Sequence, residues 1–306
     1  MEPNKRRMTR IGIDLGGTKI SGIALAEDGQ VLEHTRVPAP QGSYQETLEA
    51  IAQLVSMLEH DIGEKHGATP VGVGTPGAEI PGTGKLQNAN SVWLNGKPIV
   101  SDLATALNRP VRIANDADCL ALSEAVDGAA KGCETVFAAI LGTGVGGAIV
   151  HNGRLLSGPN GIAGEWGHCP LPSPKPDELS PPVCWCGRIG CLETWLSGPG
   201  MAADHQRFTG NSETAEDIAK ADTPARKVSL DRHLDRLARG LAMICNIIDP
   251  HVIVLGGGLS NMDHLYTGLP SAMAAHLFTT APQVTIVKAM HGDDSGVRGA
   301  ARLWDN

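Results

Sequence analysis

One order of elements occurs twice in this chain of 306 residues. Residues 10–15 read as a short apolar strand closed by Gly16-Gly17-Thr18; a strand near 20–25 follows, and Asp28-Gly29 signals a hairpin into a third strand at 31–37. Residues 136–141 again read as an apolar strand, closed by Gly142-Thr143-Gly144, with a strand near 147–150 and an Asn152-Gly153 hairpin signal after it. The repeat is weak as identity and clear as pattern. It points to two related α/β domains with mixed sheets, facing each other across an interdomain cleft, and the length accommodates both. The expected division is a small N-terminal domain over 1–115, joined by a C-terminal helix at about 292–306, and a larger domain over 116–291.

The remaining periodicities fill in the elements. Leu48, Ile51, Leu54, Val55 and Leu58 give an amphipathic helix over 46–59. Residues 71–74 and 111–114 read as strands, and Ser101 as the cap of a helix ending at Leu107. A helix is expected over 117–130, a long one through Leu234, Leu237, Leu241, Ile244 and Ile248, a strand over 252–255 and a last helix over 296–303. The Pro-rich stretch 170–182 reads as an exposed loop.

Composition narrows the function classes. The net charge of −8 lacks the basic footprint of a nucleic-acid binder and argues against an anionic membrane surface. The longest uncharged stretch, 135–150, is too short and too rich in glycine to span a bilayer, and residues 1–10 lack the apolar core of a signal peptide. The expected compartment is the reducing cytoplasm, where the seven cysteines are thiols or metal ligands rather than disulfides. The 38 glycines cluster at turns beside apolar strands, where backbone bends sharply or approaches a ligand.

Three motifs carry chemistry. Asp14-Leu15-Gly16-Gly17-Thr18-Lys19, Gly142-Thr143-Gly144-Val145-Gly146-Gly147 and Gly256-Gly257-Gly258 each end an apolar strand. One such turn is as readily a plain hairpin; three together point to nucleotide phosphates held by backbone N–H groups, with Asp14 able to orient a metal-bound water. Asn115-Asp116, where a strand gives way to a helix, supplies either an ordinary helix cap or a base that accepts a hydroxyl proton during attack on a γ-phosphate. His168, Cys184, Cys186 and Cys191 are a closed donor set for structural Zn²⁺; the alternative, a redox pair, fits poorly because Cys-x-Cys is not the thioredoxin-like spacing. Glu165 and Glu193 flank that cluster and either accept bonds from adjacent sugar hydroxyls or are plain solvated acids. Cys119, Cys133, Cys169 and Cys245 read as small buried residues.

Together these motifs resemble the ROK family (repressors, open reading frames, kinases) of the sugar kinase, heat-shock and actin superfamily, from about Arg10 to Trp304. Leu141–Gly147, Ala163-Gly164-Glu165-Trp166-Gly167-His168 and Cys184-Trp185-Cys186-Gly187-Arg188-Ile189-Gly190-Cys191-Leu192-Glu193 carry the resemblance. It implies actin-like/ribonuclease H-like domains, Asp116 as catalytic base, and a hexose held by Gly77, Asn90, Asn115, Asp116, Glu165, His168 and Glu193. It places ATP against Asp14, Gly16, Gly17, Thr18, Lys19, Thr143, Gly144 and Gly257, with Mg²⁺ bridging the phosphates, and implies a homodimer. The family's repressors carry an N-terminal helix-turn-helix domain; only about ten residues precede the first strand here, so a kinase is expected and nucleic acid is not. Ala148 departs from the Gly of many members, with little expected effect. Residues 88–96 look most like bacterial fructokinases with mannokinase side activity, so the expected reaction is ATP-dependent phosphorylation of fructose, on the 6-OH, with mannose or glucose as further acceptors. An N-acetylglucosamine or other amino-sugar kinase is the alternative, and a non-catalytic sugar sensor the alternative of another class.

Overall fold

The computed structural model describes residues 9–89 and 91–305. Its strands are β1 (Arg10–Leu15), β2 (Lys19–Leu25), β3 (Val31–Pro38), β4 (Val71–Thr75), β5 (Ala78–Ile80), β6 (Lys85–Gln87), β7 (Val111–Asn115), β8 (Thr135–Leu141), β9 (Val145–His151), β10 (Arg154–Leu155), β11 (Val252–Gly256) and β12 (Ile286–Lys288). The helices are α1 (Tyr44–Asp61), α2 (Ile99–Leu107), α3 (Asp116–Val126), α4 (Glu193–Leu196), α5 (Gly198–Thr209), α6 (Ala215–Ala219), α7 (Pro224–Ile248), α8 (His264–Ala274) and α9 (Ser295–Arg302). They fall into two compact units: Met1–Gly128 with Gly153–Ala163 and Asp293–Asn306, and Ala129–Asn152 with Gly164–Gly292.

The first unit holds a sheet in the order β3-β2-β1-β4-β7. Strand β1 is antiparallel to β2 and parallel to β4, and β4 is parallel to β7. In the second unit β9-β8-β11-β12 follow in that order, with β8 antiparallel to β9, β11 parallel to β8, and β12 parallel to β11. The doubled pattern of the sequence is thus a doubled sheet, β2-β1-β4-β7 matching β9-β8-β11-β12 in order and sense. Each glycine turn, 16–18 and 142–144, joins the antiparallel pair of its sheet. The Asn152-Gly153 turn has positive φ at both residues (51° and 72°), as a tight hairpin requires.

Apolar periodicity builds each core. Helix α1 starts at Ser43, whose hydroxyl accepts a bond from the Glu46 N–H, and buries Leu48, Ile51, Leu54, Val55 and Leu58 with Ile11, Ile13 and Val73. The second core gathers Phe137, Leu141, Trp166, Leu192, Leu237, Leu241 and Leu255. Among the described residues no helix is long and apolar enough to cross a membrane.

Helix α9 is seated unusually deep in the first unit. A Cβ at Gly72 of β4 would lie 1.9 Å from the Ala300 carbonyl oxygen, and one at Gly12 of β1 would lie 2.0 Å from that of Val297. On the helix itself, a Cβ at Gly299 would lie 1.7 Å from the Cys119 carbonyl oxygen in α3. This packing explains a difference from the sequence reading. Helix α3, expected to open the second domain at residue 116, belongs to the first unit because it packs against α9. It also ends at Val126 rather than near 130, where the Asp127 carboxylate takes bonds from Arg298 and Arg302 of α9 (2.9 and 2.6 Å).

Two further expectations are corrected. Ser101 does not cap α2. The helix begins at Ile99, which is fully buried, and the Ser101 hydroxyl donates to the Pro98 carbonyl inside the first turn. The loop over 170–182 is not simply exposed. Its Glu178 is buried against Arg236 and Arg239 of α7 (2.7 and 2.8 Å), and Arg236 also holds Asp204 of α5 at 2.6 Å. Burial alone would raise the Asp204 carboxyl; bonds from Arg232 and Arg236 outweigh it and hold the group at about 2.

Gly72→Ala is expected to destabilise the protein by about 3 kcal/mol, because the added methyl must displace backbone rather than a flexible side chain. The shift in urea midpoint would measure it. Gly17→Ala, with nothing within 4 Å of the added Cβ, should stay within about 0.5 kcal/mol of the parent.

Candidate active site

In the first unit the functional residues gather where parallel strands end. Asp14 on β1 pairs in register with Gly74 on β4, and Thr75 pairs with Asn115 on β7. The carboxyl ends of β1, β4 and β7 therefore carry Asp14, the turn leading to Gly77, and Asn115-Asp116. That end is where open α/β sheets bind ligands. Gly77 has φ 87°, and a Cβ there would meet the Gln87 carbonyl oxygen at 2.3 Å. Asn90 lies outside the described residues.

The cap and the candidate base are separate residues. Asn115 is the N-cap of α3, its side-chain oxygen accepting from the Asp118 N–H at 2.6 Å. Asp116 is the first helical residue, one carboxylate oxygen accepting from the Ala117 N–H at 2.8 Å. Much of the Asp116 surface stays open, yet desolvation by the surrounding protein pushes its pKa up against the pull of that backbone bond. Asp14 is raised to about 6, first by burial and then by the nearby Asp116 carboxylate, with Lys19 opposing. Two carboxylates that repel each other at the head of a sheet are poised for a proton or a cation. The turn residues Gly17, Thr18 and Lys19 beside them are exposed.

The second unit has its own concavity, about 1060 Å³, lined by Gly142 and Thr143 of the β8–β9 turn, Gly258 and Leu259 after β11, Thr214 before α6 and Leu230 of α7 among others. A cavity of that size takes a nucleotide. Of the expected contacts in this unit, Thr143 lines it. Gly144 and Gly257 do not line it: a Cβ at Gly144 would meet Glu193 at 2.7 Å, and Gly257, at φ 80°, lies against the Leu141 carbonyl. The walls from α6 and α7 escaped the sequence reading, since nothing in an ordinary amphipathic helix marks the residues that face a cavity.

The segment holding Glu165 and His168 lies flush on β9. Cβ atoms at Gly164 and Gly167 would meet the Gly147 and Val145 carbonyl oxygens at 2.3 and 2.0 Å. Trp166 between them is buried, donates its indole N–H to the Gly146 carbonyl at 2.7 Å and stands edge-on to Phe137. With the tryptophan turned inward, a short 3₁₀ turn over Trp166–His168 leaves Glu165 and His168 half-buried at its ends.

His168, Cys184, Cys186 and Cys191 bring their donor atoms within 4.8 Å of one another. His168 Nδ1 is 3.6 Å from Cys184 Sγ, and Cys186 Sγ is 3.7 Å from Cys191 Sγ. A tetrahedron with metal–sulfur bonds of about 2.3 Å and a metal–nitrogen bond of about 2.0 Å has edges of about 3.5–3.8 Å, so the donor set fits zinc. Burial first, then the neighbouring sulfurs, pushes Cys191 up to about 12: three sulfurs so close ionise together only around a shared cation. Glu193 sits at the start of α4, its two oxygens accepting from the Val145 N–H at 2.9 Å and the Trp185 indole N–H at 2.6 Å.

Paired α/β units with glycine turns at their strand ends, a helix-start aspartate and a nucleotide-sized cavity define a phosphotransferase of the actin-like/ribonuclease H-like fold. Comparison with known proteins carries this further. Residues 10–306 match the ROK family. An N-acetyl-D-glucosamine kinase of Pectobacterium atrosepticum is 41% identical over 305 residues, covering 96% of this chain and 99% of the relative. A ROK hexokinase from Thermus thermophilus superposes with a TM-score of 0.85 at 31% identity, covering 96% of this chain and 97% of that one. A ROK family glucokinase from Streptomyces griseus, solved with glucose and AMPPNP, gives 0.76 at 26% identity over 96% and 98%. The chain belongs to the ROK family. It is an ATP-dependent sugar kinase.

The Asp14 shift carries a stability cost. A carboxyl raised from 3.8 to about 6 favours folding fully below pH 4, and that contribution is lost as pH rises through 6. Asp14→Asn should therefore raise the unfolding free energy by roughly 2 kcal/mol at pH 7.5 and by little at pH 4, while impairing turnover. Thermal unfolding across pH, read beside the activity, checks the sign.

Proposed function

We propose that this kinase transfers the γ-phosphate of ATP to the 6-OH of N-acetyl-D-glucosamine. The observation that carries the acceptor is the 41% identity, end to end, with a kinase for that sugar. The fructose expectation rests on residues 88–96, with Glu165-Trp166-Gly167-His168 and the run 123–130 in agreement, and stands as the second reading.

Asp116 accepts the hydroxyl proton as the sugar oxygen attacks; its raised pKa brings it nearer to a useful base at neutral pH. The side-chain oxygen of Asn115 is engaged in capping α3, which leaves the amide N–H₂ for the sugar. Glu165, His168 and Glu193, with Gly77 and Asn90, complete the hexose contacts. His168 serves twice, its Nδ1 beside the Cys184 sulfur and its Nε2 left for the sugar. Gly16, Gly17, Thr18 and Lys19 hold phosphate oxygens, and Thr143 with the 256–258 turn borders the adenosine cavity. Asp14 would help to hold Mg²⁺ through its water shell, and the ion would supply neutralisation of the charge developing on the phosphates. Structural zinc on His168, Cys184, Cys186 and Cys191 fixes the loop that carries Glu193.

ADP release would be followed with N-acetylglucosamine, N-acetylmannosamine, glucose, mannose and fructose. N-acetylglucosamine should give the highest kcat/KM, and Asp116→Asn should lower kcat by about 10²–10⁴-fold while still binding sugar. Best turnover on fructose would replace the acceptor, and an unimpaired Asp116→Asn would remove the base.

Metal analysis of purified protein should return about one zinc per chain, lost in Cys184→Ser together with several degrees of thermal stability. Full stability and activity in metal-free protein would refute the zinc site.

A further inference from the structure

Trp185 stands between two zinc-ligand cysteines, and no role assigned above needs it to be tryptophan. Its side chain is 71% exposed. An exposed tryptophan on a short loop ordinarily swings free, but this one is tied at both ends of its ring system. The indole N–H donates to Glu193 at 2.6 Å, and the ring stands edge-on to His168, centroids 5.1 Å apart at 83°. The backbone beneath is equally fixed: Gly187 N–H bonds the Cys184 carbonyl, Cys184 N–H bonds the Arg188 carbonyl, and Val183 bridges Ile189. The sulfurs on either side belong to the four-donor cluster.

The other oxygen of Glu193 accepts from the Val145 N–H, at the foot of the 142–144 turn. The carboxylate is therefore stretched between two close donors, one from backbone and one from Trp185, with the Cys184 sulfur a weaker third at 4.0 Å. A carboxylate with one donor on each oxygen keeps lone pairs for sugar hydroxyls but loses the freedom to rotate.

We propose that Trp185 is a positioning residue for the sugar: its indole N–H fixes the rotamer of Glu193 and its ring fixes the His168 imidazole. This rests on Glu193 and His168 being sugar contacts. Removing the N–H leaves the carboxylate held by the Val145 N–H and by a long, weak contact from the Cys184 sulfur at 4.0 Å, so the sugar must order it on binding. The loss belongs in sugar affinity rather than in the chemical step or in ATP binding.

The experiment compares Trp185→Phe, Trp185→Leu, Glu193→Ala and the double variant Trp185→Phe/Glu193→Ala on the full chain. Each is assayed with the best acceptor of the panel, and zinc content and melting temperature are recorded. Trp185→Phe, which keeps an edge for His168 but loses the donor, should raise the sugar KM about 3- to 10-fold, the worth of one hydrogen bond. Its kcat, ATP KM, zinc content and melting temperature should stay near the parent's, and Trp185→Leu should raise the sugar KM further. In the Glu193→Ala background Trp185→Phe should add little, because its effect passes through that carboxylate. A large rise in sugar KM for Glu193→Ala with none for Trp185→Phe overturns the positioning role and leaves Glu193 as a sugar contact. An unchanged sugar KM in Glu193→Ala overturns the underlying assignment itself. A fall in sugar KM for Trp185→Phe would mean that the indole obstructs the sugar, which also overturns the proposal.

Discussion

Much of the second unit's chemistry depends on how closely one loop lies on one strand. Gly164 and Gly167 bring the loop backbone to β9 at a separation no side chain would permit, and the Trp166 indole locks it there through the Gly146 carbonyl. Glu165 and His168 take their places from that contact, and His168 in turn lies within reach of the cysteine sulfurs. Cys191 leads within two residues to Glu193, whose carboxylate returns to β9 at Val145. The path closes on itself, strand to loop to sulfur cluster to helix and back to strand. Few of its steps are hydrophobic, so its rigidity comes from directional bonds and exclusion of volume rather than from buried area.

The first unit handles its site differently. It gathers Asp14 and Asp116 at the carboxyl end of a sheet and leaves their repulsion only partly offset, by Lys19 at Asp14 and by the Ala117 N–H at Asp116. The cost is local, because the sheet beneath is held by a well-packed core and by the deep seating of α9. A scaffold stable enough to carry two unhappy carboxylates is what a site awaiting a cation and a proton needs.

What the sequence disclosed follows from how local each feature is. The glycine turns, Asn115-Asp116 and the Cys-x-Cys cluster are contiguous motifs whose chemistry is written in a few adjacent residues, and the doubled sheets follow from a pattern that recurs. Ser101 misled because a serine inside a first turn has the same composition as one at its cap, and only the burial of Ile99 decides between them. Glu178 was lost in a Pro-rich run because its partners Arg236 and Arg239 are about sixty residues away on a helix whose apolar positions drew the attention. The allocation of α3 to the first unit was hidden for the same reason: the glycine that receives it, Gly299, lies near the other end of the chain. The acceptor sugar is the hardest to read, since an acetamido group differs from a hydroxyl in volume, and volume is set by residues that no short motif contains.

The seating of α9 also bears on the order in which the chain can mature. The face of β1 and β4 that carries Gly12 and Gly72 packs against α9, residues 295–302, which follow the whole second unit in the chain. The second unit, by contrast, is complete by Gly292. During synthesis the usual order of N-terminal before C-terminal folding is therefore inverted at this contact: the unit begun first must keep one face open until residues 295–302 have followed the whole second unit out of the ribosome. Loss of α9 would thus be felt at the sheet of the first unit.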